Sequence, residues 1–408
     1  MNCRHCNNEL NHIFCDLQTC PPSNAMVKKE DLNSPETYFP LKVYVCEKCW
    51  LVQVDEIEKA EDIFNSDYTY FSSYSSSWLT HAQKYVEYMT DRFNLNQTSK
   101  VIEIASNDGY LLQYFKQKNI PVLGIEPTSN TAEVALEKGI DCIVDFFGAK
   151  LANDKLKGSA DLILGNNVLA HVPDINDFLR GVKIALKSDG VNTFEFPHLC
   201  KLVEFNQFDT IYHEHFSYLS LTSLKIIFEK NGLEIFDVEE LETHGGSLRI
   251  FSKHKEDLTK IVSNRVADLL NLEATLGVDK IEYYTDFQRK VENIRDQFQS
   301  FLIDQKNKGG KIIGYGAAAK GNTLLNFSGI KGNDLISFVV DKSPYKQNKF
   351  LPGSRIPVFG EEVIREFKPD FVIIFPWNLK NEIYNQLSYI KEWGGQFVVA
   401  IPTLEIIN

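Results

Sequence analysis

Apolar and polar positions change their spacing several times along the chain, and each change predicts a boundary between elements. From residue 100 onward, short apolar runs alternate with stretches whose apolar residues recur at helical spacing, the pattern of strands and helices in turn. Strands are predicted at residues 101–104, 122–126, 142–147, 161–167 and 192–197, helices at 79–93, 174–186 and 220–231, and a closing hairpin at 233–239 and 247–251. This order predicts an α/β sheet that binds ligands at the carboxyl ends of its strands.

A second α/β unit is predicted after residues 255–306, a charged stretch that we expect to form two long helices. Its strands are predicted at residues 311–313, 335–340, 370–375 and 396–401. Near the N-terminus, residues 43–45 and 51–54 alternate like short strands. The pattern therefore predicts five regions: a small N-terminal domain (1–66), a loop rich in aromatic and hydroxyl side chains with a following helix (67–99), an α/β domain (100–254), a helical connector (255–306) and a second α/β domain (307–408).

The composition is that of an ordinary globular protein, with 43% hydrophobic residues and a net charge of −12. The acidic balance argues against a protein that binds a nucleic-acid backbone. No apolar run reaches the ~18 residues of a membrane span, and the N-terminus lacks the apolar stretch of a signal peptide. We expect a cytoplasmic monomer whose partners include neither nucleic acid nor membrane.

Cysteines are concentrated near the N-terminus, which in a cytoplasmic chain favours metal binding over disulfides. Cys3 and Cys6 form one closely spaced pair, and Cys46 and Cys49 form another. Four thiolates in two such pairs predict a closed, tetrahedral and structural zinc site. The long spacing between the pairs predicts an insertion that loops out, and it leaves other ligands open: Cys15, Cys20, His5 and His12.

The turn after the first predicted strand of the central domain favours one cofactor. Instead of the G-x-G-x-x-G of dinucleotide folds, the chain has Glu103 followed by Ala-Ser-Asn-Asp-Gly, a variant of the turn that binds S-adenosylmethionine. Glu126 ends the next strand, where an acid accepts hydrogen bonds from ribose hydroxyls. Phe146 and Phe147 are candidates to stack on adenine, although core packing also explains them. The full set of predicted cofactor contacts is Tyr68, Glu103, Ser106, Asn107, Gly109, Tyr110, Leu111, Glu126, Pro127, Asp145, Phe146, Phe147, Asn166 and Asn167.

Residues 211–218 place two histidines, a glutamate and two tyrosines within eight positions. On an extended segment, His213 and His215 would face one side, with Tyr212 and Glu214 on the other. The cluster can supply a proton acceptor, a carboxylate that orients it and a phenol donor. A buried hydrogen-bonded cluster and a metal site on the two histidines are the alternatives.

The second α/β unit begins with a glycine turn, residues 314–323, whose amides and Lys320 suit a phosphate. Residues 341–349 and Arg355 are cationic within an acidic chain, which favours either a diphosphate clamp or a solvated loop. The turn is also a loose match to an NAD site. The predicted substrate contacts are His213, His244, Tyr315, Lys320, Asn322, Lys342, Tyr345, Lys346 and Arg355.

These motifs, in this order, resemble the sugar-nucleotide C-methyltransferases, the C-3′-methyltransferases of deoxysugar biosynthesis. The resemblance covers nearly the whole chain. It is carried by the two cysteine pairs and by residues 103–109, 166–173, 208–215, 243–249, 314–322 and 340–347.

The resemblance implies an N-terminal zinc-binding domain, a central class I S-adenosylmethionine methyltransferase sheet of Rossmann-like form, and a C-terminal Rossmann-like α/β domain. The sugar nucleotide would lie between the domains. His215 matches the family's base, and Tyr212, Glu214 and His171 match supporting groups. A further active-site tyrosine is placed at Tyr70, with Tyr68 as second choice.

The resulting hypothesis is a C-methyltransferase acting on a nucleotide-linked 4-keto-6-deoxy sugar, with dTDP as the expected nucleotide. His215, oriented by Glu214, would remove the C3 proton, and Tyr212 or His171 would donate to the developing oxyanion. An NAD-dependent sugar oxidoreductase using residues 314–320 is the alternative enzyme. A zinc-containing nucleic-acid adaptor is a third possibility, against which the acidic charge counts.

Overall fold

The computed structural model describes residues 1–57, 59 and 70–407, whose strands form three sheets. The strands are β1 His12–Cys20, β2 Phe39–Val45, β3 Val52–Val54, β4 Val101–Ile104, β5 Val122–Ile125, β6 Cys142–Ile143, β7 Ala160–Asn166, β8 Leu186–Pro197, β9 Ser217–Tyr218, β10 Leu233–Leu241, β11 Ser247–His254, β12 Ile312–Tyr315, β13 Val339–Val340, β14 Val358–Phe359, β15 Phe371–Ile374, β16 Gln396–Val399 and β17 Glu405–Ile407. The α-helices are α1 Ser76–Phe93, α2 Leu112–Gln117, α3 Ser129–Glu137, α4 Ala149–Leu151, α5 Ile175–Ala185, α6 Leu199–Glu204, α7 Leu221–Lys230, α8 Asn264–Leu276, α9 Glu282–Thr285, α10 Phe287–Asn307, α11 Ala319–Phe327, α12 Val363–Phe367 and α13 Lys380–Gln386.

The central sheet has seven strands in the order β10-β11-β8-β7-β4-β5-β6. Strands β8, β7, β4, β5 and β6 are parallel, and the predicted hairpin of β10 and β11 joins β8 as an antiparallel edge. The chain leaves β4 to one side for β5 and later to the other side for β7, so the strand order reverses at β4. In such sheets the ligand crevice lies outside the carboxyl ends at this reversal.

The C-terminal sheet repeats this arrangement with six strands in the order β14-β13-β12-β15-β16-β17. All are parallel except β17, and the reversal lies between β12 and β15. The connector contains the two expected long helices, α8 and α10, with the short α9 between them. The α/β class and the two Rossmann-like sheets are therefore confirmed.

The third sheet, in the order β1-β2-β3-β9, draws its last strand from far along the chain. Val52 pairs with Tyr218 and Gln53 with Ser217, both antiparallel. Strand β9 is the end of residues 211–218, which we call the histidine-rich segment. The sequence pattern gave no sign that this segment would join the N-terminal sheet. The consequence is that the segment bearing His215 is held by the N-terminal domain.

The long spacing between the cysteine pairs is occupied by β1 and β2, which pack against the connector instead of forming a free loop. Phe14 on β1 stacks on Phe287 of α10 at a ring-centroid distance of 4.5 Å. Both rings are fully buried, and burial of such a side chain contributes about 1.5–3 kcal/mol. The insertion is thus one of the contacts through which the N-terminal domain docks on the rest of the protein.

The four cysteines predicted to bind zinc meet at one point. The Sγ atoms of Cys3 and Cys49 are 3.5 Å apart, as are those of Cys6 and Cys46, and all four sulfurs lie within 4.8 Å of one another. Sulfurs around a tetrahedral zinc ion at ~2.3 Å are separated by about 3.8 Å, so the cluster fits the ion. Gln53 Nε2 donates to Cys3 Sγ at 3.2 Å, a supporting hydrogen bond of the kind that orients metal ligands.

Among the helices that the structure describes, none is both long enough and apolar enough to cross a bilayer.

The cluster predicts which thiols carry zinc. Replacing Cys3 or Cys46 by serine should reduce the zinc content from one ion per chain to near zero, because the closed site loses a ligand. Cys15→Ala and Cys20→Ala are matched controls, since both thiols are buried elsewhere in the same domain, and they should retain one ion. Metal analysis of the purified proteins measures this, and zinc loss in a control with retention in Cys3→Ser would refute the ligand set.

Candidate active site

One cavity of about 610 Å³ lies at the carboxyl ends of the central strands and extends to the C-terminal domain. Its walls come from the turn after β4, the ends of β5 and β7, the histidine-rich segment and the glycine turn after β12. The N-terminal domain contributes Asn24. The volume is within the usual ~300–1,000 Å³ of small-molecule sites. The cavity therefore brings the predicted cofactor and substrate regions into one space.

The turn after β4 has the left-handed backbone that its residue types permit. Ala105, Asn107 and Gly109 have φ angles of 55°, 49° and 74°. A Cβ atom on Gly109 would lie only 2.6 Å from Ile140 Cδ1, so glycine is required there on two grounds. Asn107 N donates to Glu126 Oε2 at 2.8 Å, which fixes the acid at the end of β5. Burial raises the pKa of Glu126.

The predicted cofactor contacts separate into a lining set and a supporting set. The lining set is Asn107, Tyr110, Glu126, Pro127, Asp145, Phe146, Phe147, Asn166 and Asn167. The supporting set lies behind the wall: Glu103 within β4, Ser106 against Cys142, Gly109 against Ile140, and Leu111 in the core. Tyr68 lies outside the described residues.

The lining set fits S-adenosylmethionine chemically. The Asn166 amide lines the cavity beside the Tyr110 hydroxyl, with which it interacts, so both side chains offer polar groups to a ligand. Glu126 is placed to accept from ribose hydroxyls, and the apolar wall near Phe147 and Phe178 suits an aromatic base. These residues would hold the cofactor.

The histidine-rich segment forms a turn, closed by a hydrogen bond from His215 N to Tyr212 O at 3.0 Å. His215 Nδ1 bonds to the carbonyl of Thr210 at 2.8 Å. A carbonyl can only accept, so Nδ1 carries the proton and Nε2 offers a lone pair. The Tyr212 hydroxyl lies 2.8 Å from that Nε2. His215 and Tyr212 are thus a preformed acceptor–donor pair.

His171 stands beside this pair, with its ring centroid 4.6 Å from that of His215. Its Nδ1 donates to the backbone carbonyl of Glu214 at 2.7 Å. Burial lowers the pKa of His171 to about 4. Burial, and then the nearby His171, lower the pKa of His215 well below its usual value. Both imidazoles are therefore neutral near pH 7, each with an Nε2 lone pair.

The expected arrangement of this segment was wrong in two respects. Because the turn brings positions three apart together, His215 meets Tyr212, while His213 points away and bonds to Pro40 O at 3.2 Å, outside the cavity. The carbonyl of Thr210, rather than the Glu214 carboxylate, holds the His215 ring. Glu214 lines the cavity and accepts from Asn24 Nδ2 at 2.7 Å.

Four other predicted residues also line the cavity: Lys320, Lys346, His244 and Tyr70. Lys320 Nζ donates to Asn378 Oδ1 at 2.8 Å, and burial lowers the pKa of Lys320 to about 8. Lys346 Nζ donates to the carbonyl of Ala317 at 2.8 Å. Lys320 is therefore a cation near neutral pH, in a protein that is acidic overall.

The remaining predicted substrate contacts lie elsewhere. Asn322 is buried at the base of α11, and Tyr345 is half exposed and stacks on Phe71. Arg355 pairs with Glu36 at 2.6 Å and so ties the N-terminal insertion to the C-terminal domain. Tyr315 and Lys342 line a separate crevice of about 180 Å³.

The glycine turn after β12 differs from a phosphate-binding turn in one contact. Ala317 N donates to the carboxylate of Asp341 at 2.7 Å. This amide already has an anionic acceptor, and the same carboxylate would repel a phosphate placed there. The expectation that the turn amides hold a phosphate is weakened accordingly.

The lining residues that the sequence prediction missed include Asn24, Thr210 and Trp78. Asn24 lies in the N-terminal insertion and Thr210 acts through its carbonyl, so neither had a sequence signal. Trp78 ended a loop already noted for its aromatic residues, and its ring lies 4.9 Å from that of His81. His81 in turn bonds to the buried Glu195 at 2.9 Å, which Arg249 also contacts. The cavity wall at Trp78 is therefore braced by a buried charge network.

Solved structures similar to parts of this chain include two methyltransferases. An S-adenosylmethionine-dependent methyltransferase from Clostridium acetobutylicum is 12% identical, with a TM-score of 0.35, and the match covers 43% of this chain and 92% of that one. Magnesium protoporphyrin IX methyltransferase from Synechocystis, solved with bound S-adenosylmethionine, is 16% identical, with a TM-score of 0.33 and coverage of 43% and 78%.

Three family models match successive parts of the chain. Residues 3–64 match a zinc binding domain, residues 78–238 a methyltransferase domain, and residues 242–402 a C-methyltransferase C-terminal domain. C-methyltransferase NovU from Streptomyces niveus is 35% identical over 408 residues, covering 100% of this chain and 96% of NovU. The chain belongs to the S-adenosylmethionine-dependent C-methyltransferases with an N-terminal zinc-binding domain.

Proposed function

We propose that this enzyme methylates the carbon next to the ketone of a nucleotide-linked 4-keto-6-deoxy sugar, with C3 as the carbon and dTDP as the nucleotide. The observation that carries the proposal is the shared cavity. Residues of the cofactor turn, the His215–Tyr212 pair and two lysines of the C-terminal domain all line it. A methyl donor, a proton acceptor and an anionic substrate can therefore be accommodated side by side.

Methylation of such a carbon requires two things of the protein. S-adenosylmethionine supplies a methyl group bound to a positively charged sulfur, which is a strong electrophile. The protein must take a proton from the carbon and stabilise the resulting enolate oxygen. It must also hold the carbon in line with the methyl group, and positioning of this kind lowers a barrier by several kcal/mol.

His215 Nε2 is the proposed proton acceptor, because Nδ1 is committed to the Thr210 carbonyl. Nε2 has one lone pair, so the Tyr212 hydroxyl must turn from Nε2 to the ketone oxygen of the substrate before Nε2 can take the C3 proton. The hydroxyl then donates to that oxygen as it becomes the enolate oxygen. His171 is less suited to that donation, because its proton is on the Nδ1 that bonds to Glu214 O. The pair thus supports Tyr212 over His171 as the donor.

The negative charge of the bound substrate would raise the pKa of the proposed base, His215. A neutral imidazole with a strongly lowered pKa is a weak acceptor, since proton transfer is most efficient when the pKa is near the working pH. A diphosphate beside Lys320 and Lys346 would offset their positive charge. Because Lys320 is among the groups that lower the pKa of His215, the bound substrate would raise that pKa again.

The oxidoreductase alternative is not favoured. The C-terminal domain matches a C-methyltransferase model.

Product analysis tests the proposal. The enzyme should transfer one methyl group from S-adenosylmethionine to carbon in a panel of dTDP- and GDP-linked 4-keto-6-deoxy sugars, and the dTDP compounds should react fastest. Matching sugars reduced to the 4-hydroxyl form are the control and should not react, because their C3 proton is not acidic. Mass spectrometry with NMR locates the methyl group, and transfer to oxygen or nitrogen would contradict the proposal.

The pH dependence follows from the lowered pKa values of the cavity histidines. In the free enzyme, His171, with a pKa of about 4, and His215 stay unprotonated well below the ordinary histidine pKa of ~6.5. The acid limb of kcat/KM should therefore lie below pH 6, where the base begins to be protonated.

Unfolding at low pH would also reduce the measured rate, so the stability of the protein must be followed as a control for this pH profile. The unfolded chain binds protons at its histidines near pH 6.5, earlier than the folded protein, so the free energy of unfolding decreases as the pH falls below that value. Tryptophan fluorescence at each pH separates unfolding from titration. An acid limb at pH 6.5 or above, with the protein still folded, would contradict the neutral-histidine assignment.

A further inference from the structure

Arg4 lies inside the first cysteine pair of the zinc site, yet its side chain points toward the catalytic segments. The guanidinium is mostly buried, and two of its nitrogens donate to backbone carbonyls, Pro173 O at 3.0 Å and Val54 O at 2.5 Å. It also faces the ring of Phe216 at 5.3 Å from the centroid. Arg4 therefore contacts the two polypeptide segments that carry His171 and His215.

The first segment is reached through Pro173, two residues after His171. The second is reached through Phe216, the residue after His215, and through β3. Val54 accepts from Arg4, and its own amide donates to the carbonyl of Phe216 at 3.1 Å. The guanidinium of Arg4 thus links the backbone next to His171 directly, and the backbone next to His215 through Val54.

The backbone of Arg4, at the other end of its side chain, is held by the zinc site. Arg4 N donates to Gln53 Oε1 at 2.9 Å, and the same amide donates from Nε2 to Cys3 Sγ at 3.2 Å. Gln53 is fully buried on β3, the strand that pairs with β9. The position of the Arg4 backbone is consequently set by a zinc ligand and by the sheet that holds the His215 segment.

The planar fork of arginine makes this bridge specific. Its donors have fixed directions, so two carbonyls bound by one guanidinium are held at a fixed separation. A lysine amine has a single point of attachment and cannot hold both in the same way. The 4.6 Å separation of the His171 and His215 rings depends on these two segments keeping their places.

We propose that Arg4 is a positioning residue for methyl transfer, which sets the relative placement of His171 and His215 from within the zinc knuckle. The inference rests on the proposed function, since Arg4 acts through the two histidines. It assigns the zinc domain a part in catalysis beyond folding. A misplacement of about 1 Å at a reacting group can reduce turnover by ~10²-fold, so loss of the bridge should be visible in kcat.

The test compares Arg4→Gln and Arg4→Lys with Lys48→Gln in the full-length, zinc-loaded enzyme. Lys48 is a matched control, because it is an exposed cation inside the second cysteine pair. Four quantities are measured: zinc content, the affinity for S-adenosylhomocysteine by calorimetry, kcat and KM with the dTDP-4-keto-6-deoxy sugar, and the ring signals of ¹³C-labelled histidines by NMR. His215→Asn and His171→Asn identify the two relevant signals.

For Arg4→Gln we expect one zinc ion, cofactor affinity and KM within about threefold of wild type, kcat reduced ~10–100-fold, and shifted His171 and His215 signals. Arg4→Lys should recover part of kcat, and Lys48→Gln should match wild type in all four measurements. A purely structural role would instead lower zinc content or cofactor affinity together with kcat.

The outcomes separate the inference from the proposed function. Unmoved histidine signals in Arg4→Gln would overturn the positioning role, whatever happens to kcat. Shifted signals with unchanged kcat would show that Arg4 places the histidines but that these do not perform the chemistry, which would contradict the proposed function. If Arg4→Gln fails to retain zinc, Arg4→Lys decides: wild-type signals and kcat in that variant would overturn the inference.

Discussion

The pairing of β3 with β9 is the constraint on which the active site depends. Two residue pairs, Val52 with Tyr218 and Gln53 with Ser217, attach the end of the histidine-rich segment to the N-terminal sheet. The zinc cluster stabilises one end of that sheet, and Phe14 docks its β1 strand on the connector. Together with the hydrogen bonds that His171 and Thr323 donate to its carbonyls, these contacts hold the segment 211–216 as one wall of the cavity.

The chemistry of the cavity follows from how this wall is buried. The imidazoles of three histidines line the cavity: His171, His215 and His244. Each has a lowered pKa, and burial is the main cause for each. Backbone carbonyls fix the tautomers of His171 and His215, so no carboxylate is needed to orient the ring that we propose as the proton acceptor. The glutamate of the segment is then available to meet Asn24. A site of neutral acceptors beside two lysines suits an anionic carbon acid better than it suits a hydride transfer.

Much of this could be predicted from the sequence, because the signals were local. Most strands of the two α/β sheets follow from hydrophobic spacing, although β14 and β17 were not predicted. The turn at residues 105–109 follows from its small residues, and the zinc ligands follow from the paired cysteines. The contacts that were missed depend on tertiary placement. Asn24 and the β3–β9 pairing join positions more than 150 residues apart, and Thr210 acts through its backbone carbonyl. Neither kind of contact leaves a periodic pattern in the sequence. The wrong direction of His213 has a similar cause, since a turn and an extended segment share the same residue types. Arg355 shows the converse error: a cation near a predicted anion site serves as an interdomain contact with Glu36.

The central claim is that proton removal from carbon by His215 occurs in the cavity that also holds the methyl donor. Deuterium exchange at C3 of the dTDP-4-keto-6-deoxy sugar in D₂O, with S-adenosylhomocysteine in place of the donor, tests it most directly, because it isolates the proton-transfer step. The account predicts enzyme-dependent exchange in the wild type and in His213→Gln, whose side chain lies outside the cavity, and at least a ~100-fold slower exchange in His215→Asn. Equal exchange rates in His215→Asn and the wild type, or methylation by a wild-type enzyme that catalyses no exchange, would contradict it.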